Sequence, residues 1–178
     1  ASHAVQTNWS FFTIEKFGWS EKMIGISLGV VGLLVALVQG LLIRYTSPLL
    51  GNKKSIFFGL LFYSLGLFLF AFANQGWMMF VFLIPYCLGG IAGPALQSII
   101  SSSVHNNEQG ELQGSLTSLI SLTSILGPPL MTGLFAYFTR PSAPVHFSGV
   151  SFLLGGILML LSAFCAYLAL KTKGVSVI

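Results

Sequence analysis

Five long apolar runs, separated by short polar segments, constrain the fold of this chain more than any other feature. The runs cover residues 23–45, 55–73, 77–101, 113–138 and 148–170. A helix needs about 20 mainly apolar residues to cross the hydrocarbon core of a bilayer, and each run has about that length. Charged residues lie between the runs or at their ends, as spanning helices require. The sequence therefore predicts an all-α transmembrane bundle.

Composition excludes most alternatives to a membrane protein. Charged residues make up 7% of the chain and hydrophobic residues 54%, with a mean hydropathy of +0.87. A soluble domain carries about 25% charged residues. The net charge of +4 is scattered, and no basic cluster interleaved with aromatic residues indicates nucleic-acid binding. The lipid bilayer and other membrane helices are the partners that this composition predicts.

Catalytic and metal-binding chemistry is not indicated. The chain has no aspartate, its four glutamates lie near the ends of runs, and its three histidines lie in end or loop segments. Cys87 and Cys165 lie inside apolar runs without the spacing of metal ligands. The sequence also lacks a glycine-rich phosphate loop followed by lysine. We therefore expect no enzyme, no cofactor and no bound metal.

Basic residues set the expected orientation. The segment 44–54, which starts at the end of the first run and leads to the second, is predicted to be a loop and carries Arg44, Lys53 and Lys54. Loops rich in lysine and arginine stay in the cytoplasm, and alternation of the spans then places the carboxy terminus there as well. The residues before the first run indicate the end of another helix and a loop, so we expect most of a sixth span to precede Ala1. Their aromatic residues are expected to form an interfacial belt: Trp9, Phe11, Phe12, Phe17 and Trp19.

Small residues in the first run recur at steps of three and four, which places them on one helix face. Such a face lets a neighbouring helix approach closely. Gln39 adjoins this stripe far from either end of the run, where an amide needs a partner, a water molecule or a ligand. Plain packing remains the alternative. The glycine stripe consists of Gly25, Gly29, Gly32, Ala36 and Gly40.

Three further polar side chains join Gln39 as candidate contacts for a solute. Tyr63 shares a face of the second run with two glycines, although a packed aromatic is the alternative. The second run is otherwise rich in phenylalanine and leucine, so we expect much of it to face lipid. Gln97 follows Gly93 by one turn, and Ser121 lies on a face of hydroxyl-bearing residues. Such hydroxyls can instead bond to their own backbone.

Prolines mark candidate hinges. Pro85 and Pro94 interrupt the third run and predict kinks, because proline removes a backbone hydrogen bond and clashes with the preceding turn. Gly127 and Pro128 predict a break or bend in the fourth run. These points could bend when a transporter changes state, with a static kink as the alternative.

Two carboxylates mark a candidate gate. Glu108 and Glu111 lie in the hairpin between the third and fourth runs. They either complement the dipole at the start of a helix or form a gate with basic groups elsewhere in the protein. Gln109 follows Asn106 by three residues, as in a capping box.

Three segments carry a family resemblance. They read Gly-Pro-Ala-Leu-Gln at 93–97, Gln-Gly-Glu-Leu-Gln-Gly-Ser-Leu-Thr-Ser at 109–118, and Leu-Thr-Ser-Ile-Leu-Gly-Pro at 122–128. Here the chain resembles the major facilitator superfamily, and within it the branch of tetracycline/proton antiporters. The resemblance implies the carboxy-terminal half of a twelve-helix transporter of a bacterial inner membrane. Residues 1–178 would form one half-bundle, with the amino-terminal half absent.

The resemblance also implies a function. It implies a secondary transporter that exports a drug-like solute or small metabolite by alternating access, in exchange for protons. Gln39 matches a cavity glutamine of the tetracycline pumps. The chain differs from them at Val35, where they carry histidine, and at Tyr63, where they carry a buried aspartate, so the substrate stays open. A facilitator-fold protein that senses or scaffolds without transport is the alternative.

Overall fold

A computed structural model describes residues 2–172, without the side chains of residues 47, 48, 106 and 172. Helices account for most of this range, and no strand occurs within it. A π-helical segment, Val38–Leu42, joins the second and third helices, and 3₁₀ segments cover Gly89–Ile91 and Asn106–Glu108. The α-helices are α1 (Ser2–Phe17), α2 (Glu21–Leu37), α3 (Ile43–Phe72), α4 (Gly76–Leu88), α5 (Ala92–Ser102), α6 (Gln109–Thr139) and α7 (Val150–Thr172).

Five helical stretches are long and apolar enough to cross a membrane. Each overlaps one of the apolar runs, so the predicted all-α transmembrane fold is confirmed. α1 precedes these stretches and packs against α6 and α7. The five stretches are Glu21–Thr46, Leu49–Phe72, Gly76–Ser102, Gln109–Thr139 and Val150–Lys171.

Helix α3 packs against α4, α5 and α7, and glycines bring its backbone very close to the segment that joins α4 to α5. A Cβ atom added at Gly66 would lie 2.7 Å from the backbone of Tyr86. One added at Gly89 would lie 2.6 Å from the Cβ of Tyr63, and Gly59 makes a similar approach. Only glycine allows backbones this close, so the face that the two α3 glycines share with Tyr63 is a helix-packing face.

Aromatic rings fill the core around α3. Phe70 contacts the rings of Trp9, Tyr86 and Phe152 at centroid distances of 5.2, 5.4 and 5.9 Å. Phe12 packs edge-on against Phe152 at 4.9 Å. One expectation is therefore wrong, because Trp9 and Phe12 are core residues rather than part of an interfacial belt. The span Leu49–Phe72 is the most buried of the five, but only 44% of its apolar window is buried, so the expectation that much of it faces lipid stays a prediction. Hydropathy cannot separate these environments, because lipid is as apolar as a protein interior.

Buried polar groups join helices that are distant in sequence. The Asn8 amide and the Ser151 hydroxyl both donate to the carbonyl oxygen of Met131, at 2.9 and 2.8 Å. These bonds connect α1, α6 and α7. The Trp9 indole donates to the Ser27 hydroxyl at 2.9 Å, which connects α1 to α2. Such bonds replace water, which the bilayer interior does not supply.

The glycine stripe of α2 has no packing neighbour among the described residues. A Cβ atom added at any of its four glycines would meet no heavy atom within 4 Å, and Ala36 is exposed. The stripe therefore does not make the predicted close helix contact within this chain. α2 uses its other side for packing, where Ile24 and Ser27 are buried.

Helix irregularities only partly follow the prolines. The α4–α5 span loses α-helical geometry once, in the 3₁₀ segment between Pro85 and Pro94. α6 stays helical through Pro128 and Pro129. Of the break or bend expected at Gly127–Pro128, a break does not occur, and the bend stays a prediction. The hydroxyl of Thr132 donates to the carbonyl of Pro128 at 2.8 Å.

The predicted basic loop is helical on both sides of a single interruption. That interruption is Gly51, whose φ of +71° and ψ of 160° lie outside the helical region. A positive φ costs glycine little. Arg44 and Lys54 therefore lie in helical turns rather than in an open loop.

We expect Gly66→Ala to lower the free energy of unfolding by about 1–3 kcal/mol, because its new Cβ would overlap the backbone of Tyr86. Thermal unfolding of the purified protein in detergent measures this change. Gly133→Ala is the matched control, since a Cβ at this helical glycine meets nothing within 4 Å. The control should be neutral or slightly stabilising. If the Gly66→Ala protein unfolded at the same temperature as the Gly133→Ala control, the close packing of α3 against Tyr86 would be contradicted.

Candidate solute-binding surface

Gln39 lies in the π-helical segment that follows α2. Such segments are rare and are often found at functional sites. Its side chain is exposed, and its Nε2 lies 3.8 Å from the position of a Cβ built on Gly90. Within the described residues the amide makes no hydrogen bond, so it is available to water, a ligand or another protein segment.

Tyr63 is largely a packed residue with a satisfied hydroxyl group. Its ring lies 4.6 Å from that of Tyr86, and the two hydroxyl oxygens are 2.9 Å apart. Gly89 packs directly against its Cβ. Because Gln39 adjoins Gly90, the structure brings Tyr63 and Gln39 to the same 3₁₀ segment. Sequence reasoning did not indicate Tyr86, since hydropathy cannot pair tyrosines on two helices.

Gln97 and Ser121 are exposed side chains on α5 and α6. Neither makes a hydrogen bond with another described residue, and the structure does not bring them against Gln39 or Tyr63 as a closed pocket. Pro94 is also exposed, one turn before Gln97, whereas Gly127 and Pro128 are half-buried. The ring of His3 packs against Gly127, so this candidate hinge is part of the contact between α1 and α6.

The hydroxyl groups of α6 fall into two sets. Ser118 and Thr123 donate to carbonyl oxygens one turn earlier in their own helix, at 2.9 and 2.8 Å. Thr117, Ser121 and Ser124 are exposed and make no hydrogen bond within the described part of the chain. This second set, the α6 hydroxyl stripe, therefore has unused donors and acceptors on the surface of a spanning helix.

Burial differs strongly between spans. Glu21–Thr46 and Gln109–Thr139 are the least buried of the five. The first of these spans carries the open glycine stripe and Gln39. The second carries the α6 hydroxyl stripe. The two most exposed spans therefore bear exposed polar side chains without partners among the described residues. In the core, several polar side chains are bonded between helices, although Asn8 Oδ1 and Ser55 Oγ are buried without a partner.

The hairpin before α6 is closed by Gln109 rather than by its glutamates. The Gln109 amide nitrogen donates to the carbonyl of Ser101 at 2.7 Å, and the capping box with Asn106 stays a prediction. The side chain of Asn106 lies outside the described residues. Glu108 and Glu111 are exposed, and neither has an ion-pair partner in the part of the chain that the structure describes.

We expect Tyr63→Phe and Tyr86→Phe each to lower the free energy of unfolding by about 1–3 kcal/mol, because each leaves a buried hydroxyl without its partner. The double variant should lose less than the sum of the two, since neither hydroxyl then remains. Thermal unfolding of the four proteins measures this coupling. Strictly additive losses would show that the hydroxyl bond contributes nothing.

Known proteins match this chain over most of its length. A model of the Major Facilitator Superfamily matches residues 4–176. The tetracycline resistance protein, class C, of Escherichia coli is 40% identical over 152 residues, which cover 85% of this chain and 37% of that protein. The class E protein of Escherichia coli is 45% identical over 130 residues, covering 73% and 32%.

A relative outside the resistance proteins also matches. Hippocampus abundant transcript-like protein 1 of Homo sapiens is 30% identical over 131 residues, covering 72% of this chain and 26% of that protein. No solved structure matches significantly. The chain thus spans between a quarter and two fifths of the length of these relatives. A family match over nearly all of the chain, together with five apolar spans, shows that this multi-pass membrane protein belongs to the Major Facilitator Superfamily.

Proposed function

We propose that this chain is the carboxy-terminal half of a secondary transporter that exports a drug-like solute or small metabolite. The observation that carries the proposal is the α6 hydroxyl stripe, whose members are exposed and unbonded. Toward lipid, these groups could be satisfied only by rotating onto carbonyl oxygens of their own helix, as Ser118 and Thr123 do. Toward an aqueous cavity they would be satisfied by water or by a solute. Gln39 lies on Glu21–Thr46, the other of the two least buried spans, and supplies a side-chain amide to the same cavity.

The amino-terminal half of the same transporter is the proposed partner. The glycine stripe of α2 is open, and small residues let another helix approach its backbone closely. We propose that helices of the other half pack there and that the cavity lies between the halves. Gln97 would line the cavity near its cytoplasmic end, with Tyr63 behind the 3₁₀ segment.

A drug-like solute is proposed from the relatives, several of which are named as tetracycline resistance proteins. Tetracycline itself is not part of the proposal. Val35 is a half-buried residue packed against the core, and the Tyr63 hydroxyl is bonded to Tyr86. Neither provides the ionisable side chain that the tetracycline pumps carry at these two positions.

Proton antiport is proposed with the coupling carboxylate in the other half. All four glutamates of this chain are exposed, and Glu21 and Glu111 lie in the first turns of α2 and α6. A carboxylate that carries protons across a membrane belongs at depth, facing the bundle interior or a cavity. Glu108 and Glu111 suit a different role, a gate closed by basic groups of the partner half at the cytoplasmic side.

Alternating access needs a point at which a helix can bend. We propose the 3₁₀ segment Gly89–Ile91, between Pro85 and Pro94, because regular hydrogen bonding is already lost there. Gln39 lies next to this segment. Bending of the α4–α5 span there would therefore change the surroundings of a solute bound at Gln39. The carboxy terminus is proposed to be cytoplasmic, on the same side as Arg44 and Lys54.

We expect Gln39→Leu to reduce solute export by roughly tenfold, since one hydrogen bond to a solute contributes about 1.5 kcal/mol or less. The measurement is uptake into energised inside-out vesicles that contain the complete protein, with the amount of folded protein determined in parallel. Asn74→Leu is the matched control, because it removes an exposed amide from the turn before α4.

Unchanged export by the Gln39→Leu protein would remove this residue from the cavity. The same vesicles test the alternative function. A transporter accumulates solute against its gradient and stops when the proton gradient is collapsed, whereas a sensor or scaffold accumulates nothing in either state.

A further inference from the structure

An apolar groove lies between the start of α3 and the end of α7. Its volume is about 550 Å³, within the usual range of about 300–1,000 Å³ for small-molecule sites. Phe57 and Tyr167 form part of its wall, with ring centroids 6.4 Å apart. Ile56 and Leu170 extend the wall along the two helices. The volume and the apolar wall of the groove therefore suit the acyl chain of a lipid.

Lysines surround this groove at one end of the bundle. Lys53, Lys54 and Lys171 all line it, and none of its described lining residues is acidic. These lysines lie at the ends of the spans Leu49–Phe72 and Val150–Lys171. Ends of spans lie at the level of lipid headgroups. An apolar groove thus opens toward a cluster of positive charge at the membrane interface.

We propose that this groove binds one anionic phospholipid, with its phosphate between the three lysines and an acyl chain along the apolar wall. Charge complementarity selects this occupant, since basic pockets between transmembrane helices bind anionic headgroups. Ammonium groups bind phosphate as point charges. A zwitterionic lipid offers the same hydrocarbon with no net charge, so it binds this site more weakly.

The lipid site is separate from the proposed solute cavity. Its walls come from residues 50–58 of α3 and from the end of α7, whereas Gln39, Gln97 and Ser121 lie on other helical segments. The site would tie the ends of α3 and α7 together through one shared ligand. It goes beyond the proposed function and holds whether or not the protein transports a solute.

Native mass spectrometry of the complete protein tests this proposal, with phosphatidylglycerol and phosphatidylcholine added at equal concentrations. The wild type should retain one phosphatidylglycerol in preference to phosphatidylcholine. The triple variant Lys53→Gln, Lys54→Gln, Lys171→Gln should bind phosphatidylglycerol roughly 100-fold more weakly, since each lysine near an anionic surface contributes about a factor of five. Replacement of the same three lysines by arginine should preserve binding.

A matched control removes the same charge elsewhere. Lys16→Gln, Lys22→Gln, Arg140→Gln changes three basic residues outside the groove and should retain the lipid. Single lysine variants, each expected to lose about fivefold, keep the test valid if the triple variant fails to fold. Equal retention of both lipids by the wild type, or equal loss in the groove and control variants, would overturn the proposal.

Discussion

The close approach of α3 to the segment joining α4 and α5 is the contact on which the rest of this structure depends. Between helices in a bilayer there is little hydrophobic driving force, so van der Waals packing and interhelical hydrogen bonds hold a bundle together. Gly66 against Tyr86 and Gly59 against Ala92 permit backbone contact at the two ends of that interface, with Gly89 against Tyr63 between them. The same contact fixes Tyr63 beside Tyr86 and places the 3₁₀ segment beside Gln39.

Polar side chains are distributed unequally over the bundle. In the core, Asn8, Ser27, Ser64 and Ser151 bond to groups on other helices. On α6, the hydroxyl stripe around Ser121 has no such partners among the described residues. In a free-standing bundle in lipid, only bonds to the helix's own backbone could satisfy that stripe. The asymmetry is what one wall of a shared aqueous passage requires.

Sequence predicted the spans well because their signal is strong and local. Length, hydropathy and the position of charges were enough to locate all five. Orientation of the faces was less predictable. Periodicity correctly grouped the glycines of α3 on a single face, but it could not say that Gly66 meets Tyr86 while Gly29 in α2 meets nothing. Contacts depend on the neighbouring helix, which a local pattern does not contain.

In the candidate site too, sequence indicated individual residues but not their contacts with neighbouring helices. Gln39 was predicted from its depth in the first run and Ser121 from its hydroxyl-bearing helix face, and both are exposed without partners in the described chain. Tyr63 was predicted with packing as its alternative, and the structure gives it a packing partner that sequence could not supply. Hydropathy failed for Trp9 because an indole suits the interface and the core alike; here it donates to Ser27 inside the bundle.

Thiol accessibility tests most directly whether the α6 hydroxyl stripe faces water. In the complete protein in native membranes, with Cys87→Ala, Ser121→Cys would be treated with a membrane-impermeant maleimide. The native Cys165 is exposed on α7, a span that carries none of the proposed cavity residues. It serves as the internal reference, and peptide mass spectrometry separates the two thiols. The account predicts rapid labelling at position 121 and little at Cys165. Labelling at position 121 no faster than at Cys165 would contradict it.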